Sequence, residues 1–133
     1  MGLKLSETLH TATAHATDSL SVVISPPSFA HAAVFYWNIS AVAGTSPIAD
    51  CKLQALDNAS GTAIDIDGAT FAQQTAASFQ ALQVRCGLTA DTTGNFRAVS
   101  ALIPAAMKAV FTFDRTTGNE TYTFTLSVDW LGV

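Results

Sequence analysis

Charge is scarce in this 133-residue chain: Asp, Glu, Lys and Arg make up only 12% of it, about half the usual share. Six Lys and Arg stand against ten Asp and Glu, for a net charge of −4. A nucleic-acid partner needs a basic stripe to displace counterions from phosphates, and none is available here, so no nucleic acid is expected. Long apolar runs are also missing. No segment reaches the ~18 residues of a spanning helix, so no membrane partner is expected. The opening Met1-Gly2-Leu3-Lys4-Leu5-Ser6-Glu7 stretch lacks the apolar centre of a secretory signal. Glutamate occurs only at Glu7 and Glu120, both expected in flexible segments, so the acid pair of a glycoside hydrolase is absent. Cys51 and Cys86 are the only cysteines. Two isolated thiols make neither a zinc site nor a disulfide framework, and both are expected as buried free thiols, with a single cross-sheet disulfide as the alternative in an oxidising exterior.

Small neutral side chains fill the space that charge leaves. The chain has 17 Thr, 11 Ser and 23 Ala, and 49% of it is hydrophobic. That length supports one domain with a single sizeable core. A surface with so few charges does little to keep neighbours apart, which points to life inside an assembly.

Residues 1–19 are rich in Thr, Ala and His with few large apolar groups. They read as an extended N-terminal arm that orders only against a neighbour, with a short Ala-favoured helix as the other reading. The domain proper is expected over residues 20–133. Ser21–Ser25 is a β-branched run stopped by Pro26-Pro27, and Ala33–Val42 carries the aromatic and β-branched enrichment of a strand. Ala49, Cys51, Leu53 and Ala55 alternate with polar residues, the period of a half-buried strand. Further strand segments lie at 62–66, 82–86 and 96–100, separated by Asp-, Asn- and Gly-containing turns. The clearest signal is at the end. Met107, Ala109, Phe111 and Phe113 form one face, and Tyr122, Phe124, Leu126, Val128 and Trp130 form another, with residues 115–120 between them read as a hairpin loop. About eight strands and no amphipathic helix predict an all-β, antiparallel β-sandwich or jelly roll. Its two sheets should press the 122–130 row against the 107–113 row and the aromatics of residues 35–37.

Residue types that carry chemistry do not converge. His10 and His15 lie five apart, on opposite faces of a regular strand, and with His31 they read as exposed polar residues. Asp65-Ile66-Asp67-Gly68 resembles the first half of a calcium loop without its bidentate Glu. The glycines stand singly at turns, with no phosphate-cradling loop. No catalytic, cofactor-binding or metal residues are assigned, and the chain is read as a non-enzyme. Trp37 or Trp130 stacking on a sugar, with Asp65 and Asp67 holding calcium, would make a carbohydrate-binding sandwich, the alternative from another class. Tyr36 and Trp37 are adjacent, so one of them faces the core and the other an outer face.

The series Ile39–Pro47 and Asp50–Gln54, then Ile66–Thr75, then Tyr122–Val128 resembles a group of small β-rich virion structural proteins of tailed bacteriophages. The resemblance spans about residues 20–133. It implies a many-copy virion protein that decorates or cements the capsid shell, assembled in the host cytoplasm, with the major capsid protein and copies of itself as partners. A closed oligomer such as a trimer would suit that role. A tail-tube, baseplate or fibre module is the second reading within the same group. Cys51 and Cys86 depart from the sulfur-free apolar residues expected at those positions.

Overall fold

The computed structural model describes residues 2–132. They form nine strands and, among the described residues, no helix: β1 (Lys4–His15), β2 (Ser19–Ile24), β3 (Ala32–Ala43), β4 (Ile48–Leu56), β5 (Ala63–Thr70), β6 (Ser78–Arg85), β7 (Phe96–Val99), β8 (Met107–Asp114) and β9 (Thr121–Leu131). A five-stranded sheet runs β1-β9-β3-β6-β7 and a four-stranded sheet runs β2-β8-β4-β5. The antiparallel pairs are nested: β4 with β5, β3 with β6, β2 with β8 and β1 with β9. Such nesting is one long hairpin rolled over on itself, the winding of a jelly roll. β7 lies outside the scheme, as a short strand parallel to β6.

The alternation in β9 drives this packing. Tyr122, Phe124, Leu126, Val128 and Trp130 are all buried and point between the sheets, where they meet Met107, Ala109, Phe111 and Phe113 of β8. Phe124 and Phe111 lie 4.6 Å apart between ring centroids, as do Tyr122 and Phe113. Trp37 of β3 adds edge-on contacts to Phe124 and Phe71. Offset and edge-to-face pairs of this kind add about 0.5–1.5 kcal/mol each beyond their burial.

Residues 115–120 do not close a hairpin. β8 and β9 belong to different sheets and face each other across the core, so the loop arches from one layer to the other. β8 takes β2 and β4 as its ladder partners, and β9 takes β1 and β3. The arch is held by Arg115, whose guanidinium donates to the carbonyls of Gly118 at 2.7 Å and Glu120 at 3.0 Å. Glu120 is fully buried and not flexible; Thr117 donates to its carboxylate through both its amide and its hydroxyl, which holds the carboxyl below its usual range. The Tyr122 hydroxyl donates to Asp114 O at 2.5 Å and accepts from Ile48 N at 2.9 Å, tying the ends of β8, β9 and β4 together. Gly44 turns beside this arch with φ at 105°, and a Cβ there would stand 2.6 Å from the Glu120 Cα.

The N-terminal segment differs from the expected arm. Lys4–His15 is a twelve-residue strand that pairs along β9 and forms one edge of the five-stranded sheet. Its backbone finds a complete neighbour within the chain, because β9 would otherwise expose a row of unpaired amides and carbonyls. Phe124→Ala is expected to cost about 3–5 kcal/mol, read as a lower urea midpoint with an unchanged m-value. A cost below about 1 kcal/mol would contradict the central packing assigned to this ring.

Candidate interaction surface

The two outer faces carry different chemistry. On β4, the residues between buried Ala49, Cys51 and Leu53 are Asp50, Lys52 and Gln54, and their neighbours on β8 and β5 include Lys108 and Asp65. Charged groups therefore run across the middle of the four-stranded sheet's outer face. Asp65 accepts from Gln54 at 2.8 Å and forms an ion pair with Lys52 at 3.0 Å. The Gln54 amide, then Lys52, hold its carboxyl below the usual range.

The outer face of the five-stranded sheet is neutral through its middle. The register aligns Thr8, Ser127, Tyr36, Ala81 and Phe96 in one row across all five strands. One step along, Phe79 lies opposite Asn38 and stacks on Tyr36 with ring centroids 5.8 Å apart. Phe79 is 62% exposed and Phe96 61%. Ala81 points the same way yet is buried, since the two flanking rings cover its small side chain. Three aromatic rings and a ribbon of Thr, Ser and Asn hydroxyls and amides thus make a patch without a formal charge. Tyr36 and Trp37 divide between the faces as their adjacency requires: Trp37 is core and Tyr36 is outward. Phe79 and Phe96 carried no signal as surface residues, because each sits in a strand-like run where an aromatic reads as core.

The residues singled out for sugar and calcium binding do not come together. Trp37 and Trp130 are both fully buried, so neither indole can stack on a sugar. Trp130 donates to Glu7 Oε1 at 2.6 Å, which ties down a side chain expected to be free. Asp67 is exposed in a stretch where β5 leaves its register with β4, and Gly68 there takes φ 78°. Asp65 is committed to Lys52 and Gln54. Among the described residues no group of three or more His, Cys, Asp or Glu is placed to hold a metal ion, and no helix is long and apolar enough to cross a membrane.

The cysteines divide. Cys51 is buried, with its thiol pushed well up by burial and then by Asp50. Cys86 is exposed, contrary to expectation, because β6 ends at Arg85 and the chain turns outward through Gly87 at φ 82°. Both are free thiols.

Two of the three histidines depart from their expected placement. His31 is exposed, whereas His10 and His15 share one face, with their Nε2 atoms 2.8 Å apart. Between them β1 advances from His10 to Thr13 while β9 moves only from Leu126 to Phe124. That one extra residue is a bulge, and it converts an odd spacing into an even one. Both rings then lie against Phe124, at centroid distances of 4.8 and 5.3 Å. Burial, then the neighbouring His15, lowers the His10 pKa below its usual value.

The chain matches no family model, no curated protein and no solved structure.

Two measurements check this placement. In native protein one thiol, Cys86, should react promptly with a disulfide reagent, and the second only on unfolding; prompt reaction of both would place Cys51 wrongly. For His10, a folded pKa below the unfolded value of about 6.5 means that the unfolded chain takes up the proton first. Its contribution to stability is therefore complete above about pH 6.5 and is lost as pH falls toward its folded pKa. The melting temperature should decline across that window, and His10→Gln should flatten the decline.

Proposed function

We propose that this chain is a structural protein of a tailed-bacteriophage virion, decorating and cementing the head shell through contacts with the major capsid protein and with further copies of itself. The observation that carries the reading is the uncharged aromatic row on the outer face of the five-stranded sheet. Its support is twofold: a surface of this kind suits attachment by burial, and the strand series resembles virion proteins of that group. Jelly-roll winding also serves in viral capsid domains, and in lectins as well, so the fold adds weight only as an analogy.

The physics of such attachment is modest per copy and large per particle. Fully burying an exposed Phe side chain is worth about 1.5–3 kcal/mol; Phe79 and Phe96 are 62% and 61% exposed, so together they offer little more than one such burial before ordering costs are subtracted. Contacts repeated around a closed oligomer convert weak single sites into firm binding through effective concentration. Hydroxyls and amides from Thr8, Ser127 and Asn38 supply hydrogen bonds at the rim without desolvating ions. Attachment of this type depends little on salt, unlike binding steered by charge.

Purified protein mixed with phage heads stripped of their surface proteins is expected to sediment with the shells, equally at low and high salt. The Phe79→Ser/Phe96→Ser double variant should keep its melting temperature within a few degrees, because both rings are exposed, yet remain in the supernatant. Equal sedimentation of the variant, or none by the wild type, would overturn the assignment.

A further inference from the structure

His10 and His15 are arranged in a way that a pair of surface histidines rarely needs. Their Nε2 atoms approach to 2.8 Å, so one ring presents Nε2–H and the other its lone pair. The Thr13 hydroxyl stands 3.1 Å from the His15 Nε2. Beneath them the buried ring of Phe124 forms a floor, lying within 26° of parallel to His10 and 36° to His15. The bulge between His10 and Thr13 sets both imidazoles on this floor. Neither ring touches the uncharged outer patch, because both point to the inner rim of the sandwich. Both are only half-buried, which leaves their nitrogens a path to solvent.

We propose that His10 and His15 form a two-imidazole chelate for a divalent transition-metal ion. Their Nε2 atoms stand 2.8 Å apart and their ring centroids 4.9 Å apart, so small rotations of the two rings bring both lone pairs onto one ion, and imidazole suits Zn²⁺, Ni²⁺ and Cu²⁺ alike. Binding requires no redox step. The ring that carries Nε2–H passes this proton to solvent and takes one up at Nδ1, so both Nε2 lone pairs become available. They then replace two waters of the hydrated ion, and the remaining positions keep water, within reach of the Thr13 hydroxyl. Neutral rings are the binding form. The ion would clamp β1 across its bulge, the point where its ladder to β9 is interrupted.

Ni²⁺ is the probe, because exposed Cys86 would reduce Cu²⁺, and Cys86→Ser removes the thiol as a competing ligand. Calorimetric titration of the Cys86→Ser chain with NiCl₂ at pH 7.5 should give one ion per chain. His10→Gln or His15→Gln should each weaken binding on the order of tenfold or more, as expected when a chelate loses one arm, while His31→Gln leaves it unchanged. Equal affinity in the single-histidine variants, or equal weakening by His31→Gln, would overturn the proposal. A second reading avoids substitutions that disturb β1: substoichiometric Ni²⁺ should broaden the ring-proton signals of His10 and His15 together and spare His31. Uniform broadening of all three would show independent adventitious binding and refute the chelate.

Discussion

Phe124 is the point at which both sheets and the edge strand meet. Its ring packs on Phe111 and Phe113 of the opposite layer, on Trp37 of the neighbouring strand, and on His10 and His15 of β1. Removing it would open the core and also take away the surface on which the edge strand rests. The jelly-roll winding follows from the same constraint. The rows of β8 and β9 pack on each other from opposite layers, so the 115–120 segment arches and does not fold back. Arg115, Glu120 and Tyr122 supply hydrogen bonds that hold the arch in place.

Sequestering the large rings leaves the outer faces to be decided by what remains. Asp65 pairs with Lys52 on the outer face of the four-stranded sheet, and the five-stranded sheet keeps an uncharged middle with Tyr36, Phe79 and Phe96. A chain with so few ionic groups cannot cover both faces with them. The uncharged face is therefore a consequence of composition, while its location depends on which strands share a sheet. An attachment surface built in this way relies on burial and hydrogen bonding, and it suits a protein that acts through many copies.

The N-terminal strand shows why pattern reading fails where the backbone is irregular. Leu5, Glu7, Leu9, His10, Thr13 and His15 do not alternate cleanly, because two extra residues interrupt the ladder to β9. Each insertion flips the facing of all that follows, and a regular-strand reading then assigns His10 and His15 to opposite sides. The side chains involved are also small or polar, so burial gives little guidance to pairing. Much the same limit applied to Phe79, Phe96 and Cys86: their exposure depends on sheet position and on the turn through Gly87, neither of which local composition records.

By itself the sequence determined the all-β class, the segments corresponding to β2 through β9, and the facing of β9 against β8. Those follow from period-2 alternation of large apolar groups, a local property whose energetic weight is set by burial alone. Only the tertiary structure decided that the first strand belongs to the sandwich and that the 115–120 loop crosses between layers. It also decided that both tryptophans are enclosed, that an aromatic patch faces outward, and that two histidines meet. Each of these turns on which strand lies beside which and in what register, and long-range pairing is selected by the whole core at once, not by the residues that carry it.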